Sequence, residues 1–207
     1  MAPWLHTDVT DGRSAYYPTS SDTEGNQVTG GSFCLSRSRP YQLVLLRNGR
    51  IYCGGSLIAP KWVLTAAHCG TEQIRRIHNF FMHPGYNLHP RDNDFMLLEL
   101  DDVSGWGRFP ATMQCADVYS VSQARCQDSY RGRITDNTLC AGVEQGGIGT
   151  CQGNSGGPLV CNGQLQSVVS WGKSVCALPG QPGIYAKVCK AVQWMRSTIG
   201  RKCARSA

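Results

Sequence analysis

Eleven cysteines in 207 residues constrain this chain more than any other feature. A count that high points to disulfides and to an oxidising compartment. Zinc binding is the other common use of many cysteines, but no Cys-x-x-Cys pair occurs. The odd count leaves at least one thiol outside any intrachain pair, and connectivity does not follow from spacing alone. Residues 1–27 point the other way. They lack the basic start and apolar core of a secretory signal and run rich in Ser, Thr, Asp and Gly, so they are expected to be a disordered leader.

Composition removes several function classes. No apolar run approaches 18 residues, so no membrane-spanning helix is expected. The net charge of +6 is scattered rather than gathered into a basic stripe, which argues against nucleic-acid binding. Hydrophobic content of 41% with 24 glycines suits a loop-rich β protein. Short apolar runs at 41–46, 51–53, 56–58, 62–66, 74–82, 95–100, 114–121, 138–141, 158–161, 164–171 and 183–187 read as strands, with Asn48-Gly49 as a hairpin turn. Residues 190–200 read as a helix with Val192, Met195 and Ile199 on one face.

Three stretches carry chemistry as a set. Gly149-Thr-Cys-Gln-Gly-Asn-Ser-Gly-Gly-Pro158 places Ser155 in a turn whose glycines permit a sharp path and close approach of a substrate. Trp62-Val-Leu-Thr-Ala-Ala-His-Cys69 ends an apolar run in His68. Asp92-Asn-Asp-Phe-Met-Leu-Leu-Glu-Leu100 puts Asp94 at the mouth of a strand, with Asp92 read as a solvated loop carboxylate. Singly, each is an ordinary turn, a structural histidine or a cap. Together they supply a nucleophile, a general base and an anion to orient the base, in the order His, Asp, Ser. His78, His83 and His89 are a weaker candidate set for a metal, because loop histidines are usually solvated.

With Ser170-Trp-Gly172 added, these motifs resemble the chymotrypsin-type serine peptidases over residues 28–202. Phe80-Phe-Met-His-Pro-Gly-Tyr-Asn87 and Gly146-Gly-Ile-Gly-Thr-Cys151 resemble the kallikrein-related peptidases within that family. The resemblance implies an all-β fold of two packed antiparallel β-barrels, at about 28–104 and 105–189, with a C-terminal helix at about 190–200. It implies peptide-bond hydrolysis by His68, Asp94 and Ser155 through an acyl-enzyme. The N–H groups of Gly153 and Ser155 would form an oxyanion hole. Ser170, Trp171 and Gly172 would offer an edge to the substrate backbone, with Gly149 as the floor of the specificity pocket and Gly172 and Gly183 as its walls. A floor without a carboxylate implies cleavage after apolar or aromatic residues rather than Lys or Arg. The implied disulfides are Cys34–Cys115, Cys53–Cys69, Cys126–Cys140 and Cys151–Cys176; Cys161 and Cys189 match positions whose usual partners would fall in missing segments, and Cys203 has no implied partner. The implied partners are protein or peptide substrates and serine peptidase inhibitors, with no cofactor and no metal, for a secreted monomer.

The chain departs from that pattern in four places. Val28-Thr-Gly-Gly31 resembles the start of the mature enzyme, but Gln27 stands where a basic residue would be cut. Asn154 stands where an aspartate would pair with the freed amino terminus. The intervals His68–Asp94 and Asp94–Ser155 are short, with deficits expected just after Cys69 and just after Leu100. Lost strands would leave unpaired edges. The alternative reading is therefore an impaired or inactive relative that binds proteins on the same scaffold.

Overall fold

Two mostly apolar strands, Trp62–Thr65 and Met96–Leu100, lie side by side in the middle of a sheet; every residue of them but Glu99 is buried, and a strand buried on both faces has no need of alternation. A computed structural model of the chain describes residues 13–18, 28–34, 39–47, 50–70, 77–101, 113–151 and 153–205. Its elements in order are β1 (Arg13–Pro18), β2 (Val28–Thr29), β3 (Ser32–Phe33), β4 (Gln42–Arg47), β5 (Arg50–Ala59), β6 (Trp62–Thr65), β7 (Ile77–Met82), β8 (Met96–Leu100) and β9 (Met113–Val121). They continue with α1 (Gln123–Ser129), β10 (Thr138–Gly142), β11 (Gly149–Thr150), β12 (Pro158–Cys161), β13 (Gln164–Trp171), β14 (Gly183–Lys187) and α2 (Val188–Arg205).

The first half is an antiparallel sheet in the order β4-β5-β6-β8-β7. Among the described residues β4 and β7 do not pair, so this barrel stays open. Both edges carry exposed apolar side chains, Leu46 on β4 and Phe80 on β7. β7 shows the period of an edge strand: Ile77, Asn79 and Phe81 are half-buried while His78, Phe80 and Met82 face out. The loss of chain expected after Cys69 falls at residues 71–76, outside the described residues.

The second half closes. Its order is β1-β12-β13-β14-β10-β9, and β1 also pairs with β9, with β3 alongside. Residues 13–18 fall in the segment expected to be a disordered leader. The structure instead makes them the sixth stave, with Ala15 opposite Leu159 on one side and Tyr16 opposite Cys115 on the other. An open gap between β12 and β9 would leave rows of backbone donors and acceptors unpaired, and an extended segment of any composition can satisfy them.

The two halves share one core. Leu45, Leu64, Phe95 and Leu98 of the first pack in the same cluster as Val160, Leu165 and Val168 of the second and Ala191, Val192 and Met195 of α2. Val192 and Met195 are buried and Ile199 packs against the cluster, on the face expected for the helix. The runs at 51–53 and 56–58 are a single strand, β5. The helix α1 was not expected; Ser122 caps it by accepting the N–H of Arg125. Asn48-Gly49 lies outside the described residues.

Candidate active site

The buried strand β8 is entered through a tight turn in which Arg91 and Asn93 adopt left-handed conformations, φ 67° and 49°. That turn delivers Asp94 into the interior with none of its surface exposed. A buried carboxylate without donors would cost several kcal/mol. Asp94 has three. Its Oδ1 accepts the backbone N–H of His68 at 3.0 Å. Its Oδ2 lies 2.6 Å from His68 Nδ1 and accepts the Ser170 hydroxyl at 2.5 Å. With Nδ1–H given to the carboxylate, His68 Nε2 is the basic nitrogen. His68 sits on a single 3-10 turn, Ala67–Cys69, straight after β6. Ala66 and Ala67 are wholly buried, so larger residues there would push the imidazole off the carboxylate.

Ser155 reaches this pair through its backbone. Its carbonyl accepts the N–H of Gly54 in β5 at 2.7 Å. The next residue back, Cys53, is bonded to Cys69, the neighbour of His68. Gly156, at φ +82°, lies so close that an added Cβ would strike Thr65 Oγ1, Gly54 O and Ala66 N. The peptide on either side of the serine is therefore pressed against the segment that carries the histidine. Among the described residues the Ser155 hydroxyl makes no hydrogen bond, so the His–Asp half of a relay is closed and the Ser half is open. Catalytic hydrogen bonds are commonly loose in a free enzyme and tighten with substrate. Gly153 is also left-handed, at φ +88°.

Three of the other predicted residues, Gly149, Gly172 and Gly183, border one cleft. Gly149, Gly172, Lys173, Val175, Ala177 and Gly183 line it, and the Cys151–Cys176 disulfide ties two of its walls. Gly149 is buried, and an added Cβ would meet Ala177 only at ordinary contact distance. Ser170 and Trp171 end β13. On one side Trp171 pairs with Ile184 of β14. On the other, pairing with β12 stops at Pro158–Val168, and Val169 donates to Gly157. Beyond that point β13 makes no further pairing with β12; Ser170 and Trp171 are buried and Gly172 is exposed. Asn154 is buried, its N–H donating to Cys151 O and its C=O accepting from Gly157. Val28 pairs with Thr150 in a short ladder, β2 with β11, at the foot of the same cleft. Disulfides also join Cys34 to Cys115 and Cys126 to Cys140.

Asp92 is not a solvated carboxylate. It accepts Thr135 Oγ1 at 2.5 Å, Asn137 Nδ2 at 2.9 Å and Asn93 Nδ2 at 3.0 Å, pinning the Asp94 turn to the second half. Two of its three partners, Thr135 and Asn137, lie more than forty positions away, so no local pattern marks it. The three loop histidines do not converge. His78 pairs with Asp101 at the surface, and His83 packs edge-on against Trp194. His89 is exposed, its backbone N–H bonded to Asn87.

The sequence profile of the family described as Trypsin matches residues 28–103 and 100–195. The chain belongs to the trypsin family. It is 39% identical to human kallikrein-14 over 236 aligned positions, covering 89% of this chain and 88% of the relative. It is 38% identical to dog anionic trypsin, covering 91% of this chain and 94% of the relative. Among solved structures it is similar to neuropsin, a serine protease expressed in the limbic system of mouse brain, with a TM-score of 0.74 at 33% identity. That match covers 82% of this chain and 98% of neuropsin. The scaffold is thus that of a serine endopeptidase with kallikrein relatives. The two matched stretches meet at residues 100–103.

Proposed function

We propose that this chain is a serine endopeptidase in which Ser155 attacks the scissile carbonyl and His68 takes its proton and passes it to the leaving amine. Asp94 holds the imidazole in the Nδ1–H tautomer and stabilises its cation. The backbone N–H groups of Gly153 and Ser155 receive the oxyanion. One observation carries the reading: a fully buried carboxylate that spends its hydrogen bonds on His68 and Ser170, beside a backbone tie between Ser155 and Gly54. A merely structural aspartate has no need of an imidazole that is itself 13% exposed at its side chain. The cleft floor at Gly149 is neutral, which supports cleavage after apolar or aromatic residues. The disulfides support work outside the cell. Protein substrates, control by serine peptidase inhibitors and a monomeric state belong to the same reading through the family.

A second reading has support of its own. The first sheet is open and Asn154 is neutral, so the chain as a protein-binding scaffold without turnover is the competitor. A fluorophosphonate probe separates the two. Labelling of the parent chain and none of a Ser155→Ala variant is the expected result. No labelling of the folded parent chain at any concentration would leave the scaffold reading standing.

A further inference from the structure

Three cations surround the edge at Ser170–Gly172, and they come from three separate parts of the chain. Arg91, in the left-handed turn before Asp94, reaches Ser170 O with Nη1 at 3.5 Å. Arg133, after α1, places its guanidinium carbon 4.2 Å from the centre of the Trp171 ring. Lys173 follows directly along the edge, with Nζ 5.5 Å from the Tyr130 ring, and Tyr130 meets Trp171 edge-on at 5.2 Å. Arg133 and Lys173 are exposed, and Arg91 is half-buried.

Among the described residues none of the three enters an ion pair. The nearby carboxylates are committed elsewhere. Asp94 is buried against His68 and Ser170, and Asp92 faces Thr135 and Asn137. Glu144 is held by Arg125. Cations resting on aromatic faces, with no anion in reach, make a positive field directly over the surface where a substrate strand would lie.

Resting on the proposed peptidase reading, the geometry points to a specificity device: Arg91, Arg133 and Lys173 select polypeptides that carry Asp or Glu in the few residues upstream of the scissile bond. A strand adding to 170–172 takes the Ser170 carbonyl for its own N–H, which displaces the Arg91 guanidinium from its long contact there. A carboxylate on that strand gives Arg91 a stronger, charge-assisted partner in exchange. Successive side chains of an extended strand point to opposite faces, so acids at neighbouring positions reach Arg91 on one side and the Arg133–Lys173 pair on the other. A basic residue upstream meets like charge on both sides. The neutral cleft floor at Gly149 selects the apolar residue before the cut and the cations select acids further upstream, with Lys173 standing where the cleft meets the edge.

The test uses the full chain with Ser155→Ala, so that peptides bind without being cut. Three fluorescent peptides share one apolar residue before the cut and differ upstream by paired Glu, Ala or Lys. Each exposed ion pair contributes modestly, so the Glu peptide is expected to bind roughly tenfold tighter than the Ala peptide at low ionic strength. The gap should shrink to about twofold near 0.5 M salt, where screening is short-ranged. The Lys peptide should bind weakest. Lys173→Gln and Arg133→Gln should each lower the Glu-to-Ala ratio severalfold; Lys173 is exposed, so its loss leaves folding intact. Equal affinities for the Glu and Ala peptides, or no binding of any of the three, would overturn the inference. So would a ratio indifferent to both substitutions. Acid-selective binding in a parent chain that cuts none of the peptides would overturn the enzymatic reading alone.

Discussion

Removing one oxygen atom at position 170 tests whether the Asp94 cluster has the energetic structure that its geometry implies. Ser170 is wholly buried and its hydroxyl donates to Asp94 Oδ2 at 2.5 Å. Ser170→Ala deletes that donor, leaves the backbone of β13 in place and opens almost no space. The carboxylate keeps two of its three donors, both from His68. Hydrogen bonds to charged groups contribute about 1.5–3 kcal/mol, so the loss should be about 2 kcal/mol. For a chain of this size each kcal/mol moves the midpoint by about 2–4 °C, which predicts a Tm roughly 4–8 °C lower. The control is the same change beside Asp94→Asn. Against a neutral amide the serine donates an ordinary bond worth about 1 kcal/mol, so the two losses should differ by about that much. Calorimetry on the four proteins at neutral pH measures both quantities. A Ser170→Ala protein melting within 1 °C of its parent, or an equal loss in both backgrounds, would refute the reasoning.

Gly156→Ala should cost more than about 3 kcal/mol, because its Cβ would enter Thr65 and Ala66 at a left-handed φ; a soluble variant with parental Tm would contradict the packing described for the Ser155 turn. Gly149→Asp should turn cleavage towards Lys and Arg, since the Cβ fits against Ala177, while lowering stability through a buried charge; peptide libraries cut by parent and variant show whether preference moves. His83 has its pKa lowered below the usual histidine value by burial, partly offset by Asp92, and its Nδ1 accepts the Gly85 N–H. A lowered folded pKa means that the unfolded chain binds the proton first, so this contribution is whole above about pH 6.5 and is lost as pH falls below it. His83→Gln should therefore flatten the decline of Tm between neutral pH and about pH 5, and an unchanged slope would refute the assignment.

What could be read in advance followed from local pattern. β6 and β8 announce themselves as short runs dominated by apolar residues, and His68 and Asp94 lie close to their ends. α2 shows its buried stripe at helical spacing. Other features were settled at long range. The composition of residues 13–18 says nothing about a vacancy between β12 and β9, and the vacancy decides their structure. Asp92 looked like a solvated loop residue because its partners, Thr135 and Asn137, come from the other half of the molecule. Arg91, Arg133 and Lys173 form a group only after two turns and a strand end have been brought together. The helix α1 was missed because a capping serine before seven residues, with Cys126 alone buried, is a weak signal.

The stave that closes the second barrel is attached to the rest of the protein by a single tether. Residues 1–27 contain no cysteine, so a break anywhere in 19–27 would leave Arg13–Pro18 as a guest peptide, held without a covalent bond, chiefly by its ladders to β9 and β12. The melting point of such a nicked molecule would then fall on dilution, as for any complex held by mass action. A cut before Val28 would likewise make the second barrel a two-piece assembly.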